Sequence, residues 1–365
     1  MGWVAVSAPA AGKQAEVGPE AGRGVLLRSA GPAELMGQGS LLLEAVLGAT
    51  RVLAPLVDIA FRHPVPGRLC LTRVPGGALQ LVMERGQKRR ECSIALDGEA
   101  GPERLRIMLS WDCSAGIARL VVERPESDRA PLAAGLRDPM PLPFDALTGA
   151  ALHPGLGVLD EGVDFLAVSD SIEPIGPMPG LVGGSWIDTP GGGRRRVEEL
   201  RRGDLVEVRG EGPVPVLAAV RRAVPARGLF RPVQLFAPAH GLVRDVVVAA
   251  GQRLLTEGQE IADLFQAESV LVAAGHLMTE RSAAWAESGP LVTLHQVLLP
   301  DRQLLGVSGA EMESLHVGRL RRSAALVEAS LLAGYQRSRL PQQTSHARPV
   351  LRDFEARMLL KHRAA

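Results

Sequence analysis

A chain of 365 residues, 46% hydrophobic and 22% charged, is long enough to bury two ordinary cores, so two domains are expected. Its 41 basic and 40 acidic residues leave a formal charge of +1, which gives no footprint for nucleic acid or an anionic membrane. Cys70, Cys92 and Cys113 form an odd set without CxxC spacing, so neither a disulfide framework nor a zinc site is supported. No apolar run reaches about 18 residues, and no charged-then-apolar leader opens the chain. The expectation is a soluble protein without membrane insertion, cytoplasmic or secreted without a leader, its compartment left open.

Residues 1–40 are rich in Ala, Gly and Pro with weak periodicity and read as an irregular N-terminal segment. From Leu41 short strands follow. Cys70, Thr72 and Val74 alternate with Leu71 and Arg73, Pro75-Gly76-Gly77 turns the chain, and Leu79, Leu81 and Met83 alternate on the return. Further alternating sets are Cys92, Ile94 and Leu96; Leu105, Ile107, Leu109 and Trp111; and Ala118, Leu120 and Val122. Strands this short and regular predict an antiparallel sandwich over 41–172, with the cysteines as small buried hydrophobes. Between Pro125 and Pro154 the composition shifts to Pro, Ala and Gly, and the run Asp138–Pro143 is too proline-dense for a helix or inner strand. Val163, Phe165, Ala167 and Val168 read as the closing strand. A Pro-rich linker, 173–179, leads to the next domain.

In the second domain Trp186–Thr189 reads as a short strand, stopped by Pro190 and a Gly191-Gly192-Gly193 turn that makes a hairpin. Val197–Leu200 suggests one helical turn, and Arg201–Asp204 a tight reversal into Leu205, Val206 and Val208. Val214, Val216 and Val220, then Val233, Leu235 and Phe236, are strand-like. The arginine runs Arg194–Arg196 and Arg319–Arg322 read as solvated faces, and His240 and His276, without partners at metal-ligand spacing, as surface or loop residues. After Gly318, Leu320, Ala324, Val327, Leu331 and Leu332 fit a helical stripe. Pro349 suits the first turn of a second helix carrying Val350, Leu351, Phe354, Met358 and Leu359. A helical tail over 319–365 completes an all-β fold class: a jelly-roll-like sandwich, then a second β domain.

The order of elements in the stretch Gly180–Asp204, GLVGGSWIDTPGGGRRRVEELRRGD, resembles the opening of the bacterial Hedgehog/intein, or Hint, domain. That pattern begins Cys-Phe-x-Pro-Gly-Thr-x-Ile-x-Thr and continues to Val-Glu-x-Leu-x-x-Gly-Asp-x-Val. Anchored on Ile187 and Thr189, its Gly-Thr falls on Gly184 and Ser185, and its Cys on Gly180. Val246–Thr256 stands where the family writes Leu-Ser-Pro-x-His-Arg-Val-Leu; Ala249 takes the Ser position and Gln252 the His position, while Arg253 is kept. Leu291–Gly318 resembles Val-x-Tyr-x-His-Leu-Leu-Phe-Asp-x-His-Glu-Val-Val with a later Ser-Glu-Ser segment. His295 matches the first His, Asp301 the Asp and Glu313 the Glu, and Gln303 replaces the second His. Motifs in order across 180–318 make the match specific. A closing Arg-Pro-Val-Leu-Arg-x-x-Glu-Ala-Arg helix, here Arg348–Arg357, also accompanies the subfamily.

The resemblance implies self-processing at the Pro179-Gly180 bond: acyl transfer to a thiol, resolved by a second nucleophile or water, with no cofactor. A histidine would serve the leaving amide and a hydroxyl the carbonyl. Gly180 has no side chain, Ala249 no hydroxyl, and Gln252 cannot shuttle a proton near neutral pH. These residues imply a degenerate domain acting as a binding or scaffold module. Ser185 is the remaining candidate nucleophile, five residues past the expected position and in need of a base. His295 reads either as an acid-base group or as a core histidine. Phe165–Asp170 and Ser110-Trp111-Asp112 are similar to a laminin-G or concanavalin-like jelly roll found ahead of such domains. This leaves a protein or glycan ligand open, with Asp112, Asp164 and Asp170 the carboxylates to test or simple turn residues.

Overall fold

The computed structural model describes residues 2–8, 24–31, 33–96, 101–153, 157–279, 281–343 and 348–364. Two compact units divide the chain, residues 1–175 and 176–365. In the first, a seven-stranded antiparallel sheet runs in the order Leu132–Arg137, Ile117–Glu123, Glu103–Asp112, Gln38–Leu47, Val163–Ser169, Trp3–Val6 and Val25–Leu26. A five-stranded sheet holds Val158–Leu159, Ala54–Phe61, Gly67–Val74, Ala78–Arg85 and Lys88–Ala95. Alternation supplies one apolar face per sheet. Leu41, Leu43, Ile107, Leu109 and Leu120 from the first share one core with Val57, Leu69, Leu71 and Leu81 from the second. The Pro75-Gly76-Gly77 hairpin forms with Val74 opposite Ala78, its glycines at positive φ, where a side chain would be strained. Cys70 is buried, Cys92 and Cys113 are half-buried, and all three thiols are free. Burial pushes the Cys92 and Cys113 thiols up, as expected of small hydrophobes rather than reactive groups.

Three features of this unit differ from the sequence reading. Trp3–Val6, within the segment expected to be irregular, pairs with the closing strand Val163–Ser169 and is buried along its whole length. A strand covered on both faces carries no alternation to reveal it. The rest of that segment lies partly outside the described residues. The excursion 125–154 contains an edge strand, Leu132–Arg137, and a helix, Phe144–Leu152. That helix starts straight after the proline-dense run, where Pro143 supplies fixed φ but no capping side chain.

In the second unit a six-stranded sheet runs Ala218–Pro225, Leu291–Leu298, Leu181–Val182, Val246–Ala249, Pro232–Leu235, Ala283–Trp285. A second sheet orders Gly193–Arg196, Trp186–Thr189, Leu304–Val307, Ala310–Glu313, Arg253–Glu257 and Ser269–Ala273, and the Leu205–Val208/Gly212–Pro215 hairpin branches onto Leu304–Val307. Strands from both sheets feed one core, with Leu181, Val248 and Val297 from one and Ile187, Leu254, Leu305 and Met312 from the other. The unit's opening segment therefore sits centrally: Leu181–Val182 pairs with Leu291–Leu298 on one side and Val246–Ala249 on the other. The Trp186–Arg196 hairpin turns at Gly191 and Gly192, both at positive φ. The arginines after it are exposed but engaged: Arg194 meets Asp188 at 3.2 Å, Arg195 meets Asp204 at 2.7 Å, and Arg196 lies over Trp186.

The expected helical tail is only partly helical. Ala324–Glu328 is a five-residue helix, Arg337–Arg339 a single 3-10 turn, and the long helix starts at Asp353, not Pro349. Leu351 N donates to Leu271 O and Leu271 N to Pro349 O, so this segment runs extended beside Ser269–Ala273. Glu355 then accepts from Arg352 N at 2.7 Å, which caps the true start. Leu351, Ala356 and Leu359 enter the core, whereas Phe354 and Met358 are exposed.

Candidate functional site

Gly180 precedes the Leu181–Val182 strand, and its carbonyl accepts from Ala249 N at 2.7 Å. Gln252 N donates to Ala249 O in the turn that follows, which carries the amide side chain back toward Gly180. A Cβ built on Gly180 would overlap Gln252 Oε1 and stand 2.9 Å from its Cδ and 3.1 Å from its Cβ. The fold thus brings Gly180, Ala249 and Gln252 together, and the glutamine fills the space a side chain at 180 would need.

That glutamine is fixed and 5% exposed. Its Nε2 donates to Arg253 O and Glu313 O, both at 3.1 Å, and its Oε1 accepts from Gln296 Nε2 at 3.0 Å. Gln296, 3% exposed, also donates to Glu313 O, and its Oε1 accepts from Val297 N. Behind this amide pair, Glu313 binds Arg253 at 3.2 Å and Arg302 at 3.0 Å. Asp301 Oδ1 caps Arg302 N, and Gln303 Nε2 donates to Glu211. The site is built of amides, carbonyls, and carboxylates held by guanidiniums and amides, and its described side chains include no histidine or thiol.

His295 lies elsewhere. Leu181 is opposite His295 in the ladder, so strand alternation puts His295 on the Leu181 face and Gln296 on the face of Gly180 and Gln252. A Cβ on Gly183 would be 3.7 Å from His295 Nε2 and 3.9 Å from Glu198 Oε2, and Glu198 accepts from Gly184 N at 2.8 Å. Burial holds the His295 pKa below the usual imidazole value; Glu198 opposes that shift and Arg221 adds to it. The quoted pattern also spaces its first histidine four residues before the aspartate. His295 stands six before Asp301, and the buried Val297 holds the four-residue position. The structure therefore does not bring His295 to Gly180.

Ser185 is 4% exposed, and its hydroxyl donates to Val182 O at 2.7 Å while its own amide donates to the same carbonyl. It is a turn residue with its proton committed to backbone. In the sandwich, Asp112 accepts from Ser114 N, Ser114 Oγ and Ala115 N, Asp164 pairs with Arg104, and Asp170 meets Arg28 at 3.1 Å. These carboxylates are turn and ion-pair residues, and the described residues contain no group of three or more metal-ligating side chains. His240 sits at φ +57 in a 3-10 turn, its Nε2 buried without a partner, and His276 ends another such turn. No helix among the described residues is long and apolar enough to cross a membrane.

Sequence reasoning did not identify Gln296, Glu198 or Arg302. Gln296 required knowing the Leu181–His295 register, which places it opposite Gly180. Glu198 required knowing how the helical turn at Val197–Glu199 packs.

The second unit is thus an antiparallel β domain whose opening segment is threaded between two central strands. Residues 179–319 match a family model described as Hint domain, and the chain carries a Hint domain over that range. Among solved structures it is similar to a bacterial intein-like domain from Clostridium thermocellum: 15% identity, 38% of this chain, 99% of that one, TM-score 0.28. It is also similar to the Ruminococcus gnavus IT-sialidase CBM40 bound to α2,3 sialyllactose, at 11% identity, 36% of this chain, 62% of that one and TM-score 0.23. A third similarity is to domains LG4-5 of the mouse laminin α1 chain: 10% identity, 95% of this chain, 84% of that one, TM-score 0.23. No curated protein matches the chain.

Proposed function

We propose that this Hint domain has lost self-processing and serves as a binding or scaffold module. The observation that carries the reading is the Gln252 amide, lodged where a nucleophile at residue 180 would stand and tied there by Gln296 and the Glu313 carbonyl. Acyl transfer at Pro179-Gly180 needs a nucleophile, a proton donor for the leaving nitrogen and stabilisation of the developing oxyanion. Gly180, Gln252 and Ala249 supply none of the three side chains. Losing a single oxyanion donor typically costs about a hundredfold or more in rate, so three absences compound. His295 stands on the other face of the sheet and does not repair the deficit.

The competing reading is an active self-cleaving protein that uses Ser185. It is disfavoured by the bond from Ser185 Oγ to Val182 O and by the absence of an adjacent base in that hydrogen bond. A glycan-binding role for the sandwich rests on architecture alone and is tested by a glycan array with a calcium titration. The test of lost processing is intact mass of the purified protein over time, with and without hydroxylamine or a thiol. The proposal expects a single unchanged mass. Fragments ending at Pro179, abolished by Ser185→Ala, would establish the competing reading.

A further inference from the structure

Charge is unevenly spread in the second unit. Residues 319–340 carry Arg319, Arg321, Arg322, Arg337 and Arg339 against the single carboxylate of Glu328, in a chain whose formal charge is +1 overall. This segment closes one side of an open cavity of about 410 Å³, a volume within the range of small-ligand pockets. Two guanidiniums line it, Arg202 and Arg339, and neither has an ion-pair or side-chain hydrogen-bond partner among the described residues. Arg195, Arg209, Arg253, Arg302 and Arg363 each hold a carboxylate.

The rest of the wall is chemically mixed. Leu217 and Leu298, joined by Leu217 N donating to Leu298 O at 2.8 Å, give an apolar floor. Tyr335, the only tyrosine of the chain, and Gln336 complete the lining, both exposed. The cavity wall is held in place by its ends. Leu332 and Leu340 are buried on either side of it, Tyr335 N bonds Leu332 O, Gly334 turns at φ +81, and Arg339 N bonds Gln336 O. Arginines without a carboxylate partner, set around one cavity with leucine and tyrosine residues, fit an oxyanion carried on an apolar body.

We propose that this cavity is a binding site for a small organic anion, a carboxylate or phosphate monoester with an apolar or planar body, held by Arg202 and Arg339 and stacked near Tyr335. The site is remote in chemistry from the Gly180 region and does not depend on its being inactive. The two sources of the anionic group are separated by the probes: benzoate, phenyl phosphate, inorganic phosphate and neutral phenol, titrated into the full-length protein by calorimetry and NMR.

The expected result is saturable binding of benzoate or phenyl phosphate, with phenol and inorganic phosphate each about tenfold weaker or more. Arg202→Gln with Arg339→Gln should weaken the bound probe at least about tenfold, and added salt should weaken it further. Tyr335→Ala should reduce the preference for the aromatic anion over inorganic phosphate, reading the apolar half of the site separately. Arg209→Gln, on a paired arginine elsewhere, should change nothing. Binding unaltered in the Arg202→Gln, Arg339→Gln protein, or no saturable binding of any small anion up to about 10 mM, would overturn the proposal. So would saturation by a single-stranded oligonucleotide when none of the small anions binds.

Discussion

Replacing Gly180 with alanine isolates the steric relation at the centre of the site. Gly180 does not occupy the left-handed region, so the substitution carries no backbone strain of its own. The new Cβ must displace the Gln252 amide, which makes two donated bonds and accepts one inside a buried site. At about 0.5–1.5 kcal/mol net per bond, with a further cost for buried groups left unpaired, the loss comes to about 2–4 kcal/mol. In a Gln252→Ala background the two nearest opposing atoms are gone and the Cβ of residue 252 remains at 3.1 Å. The same change should then cost less than about 1 kcal/mol, because the reduced entropy of the unfolded chain offsets a small adjustment. The coupling between the two positions is therefore about 2 kcal/mol. Urea unfolding, read by hydrogen exchange of peptides from 176–319 so that the two units are followed separately, measures it. Equal costs of Gly180→Ala in both backgrounds would refute the claim that Gln252 occupies that space.

Removing the charge of Glu313 by Glu313→Gln weakens its bonds to Arg253 and Arg302, both largely buried, and should destabilise the second unit by about 1.5–3 kcal/mol; no measurable change in the same urea assay contradicts this. Burial chiefly, with the Arg363 charge, lowers the His240 pKa, and burial lowers that of His295. The unfolded chain then binds protons more tightly, so stability is full above the ordinary imidazole value of about 6.5 and is lost as pH falls through it. His240→Asn, which tolerates the positive φ, should flatten the fall between about pH 7 and 5, and an unchanged slope would refute the assignment. Leu359→Ala should cost about 2–5 kcal/mol and Phe354→Ala less than about 0.5, since Leu359 is buried in the core and Phe354 is 62% exposed. The reverse order would place the wrong face of the closing helix inward.

The elements legible in the sequence are those whose pattern is local. Alternation at Leu105–Trp111 and Ala118–Val122 yields adjacent strands of one sheet, and Pro190 with its glycines yields the Trp186–Arg196 hairpin. Elements set by tertiary cover are not legible. Trp3–Val6 is apolar on both faces, and Phe144–Leu152 follows prolines and lacks a capping side chain. Pro349 suits a first helical turn by φ alone, yet pairing with Leu271 keeps it extended until the Glu355 cap. At the site, the sequence already gives glycine, alanine and glutamine at 180, 249 and 252. What they do not indicate is that Gln252 and Gln296 fill the vacated space, because that depends on a register between distant strands. The same register removes His295 to the other face.

The central claim is tested most directly by intact mass over time for the natural protein beside a Gly180→Cys, Ala249→Ser, Gln252→His variant, each with and without hydroxylamine. The account predicts that the natural chain stays whole and that the variant splits before residue 180, because the fold is retained and only the reacting groups are gone. Cleavage of the natural chain at that bond would contradict it.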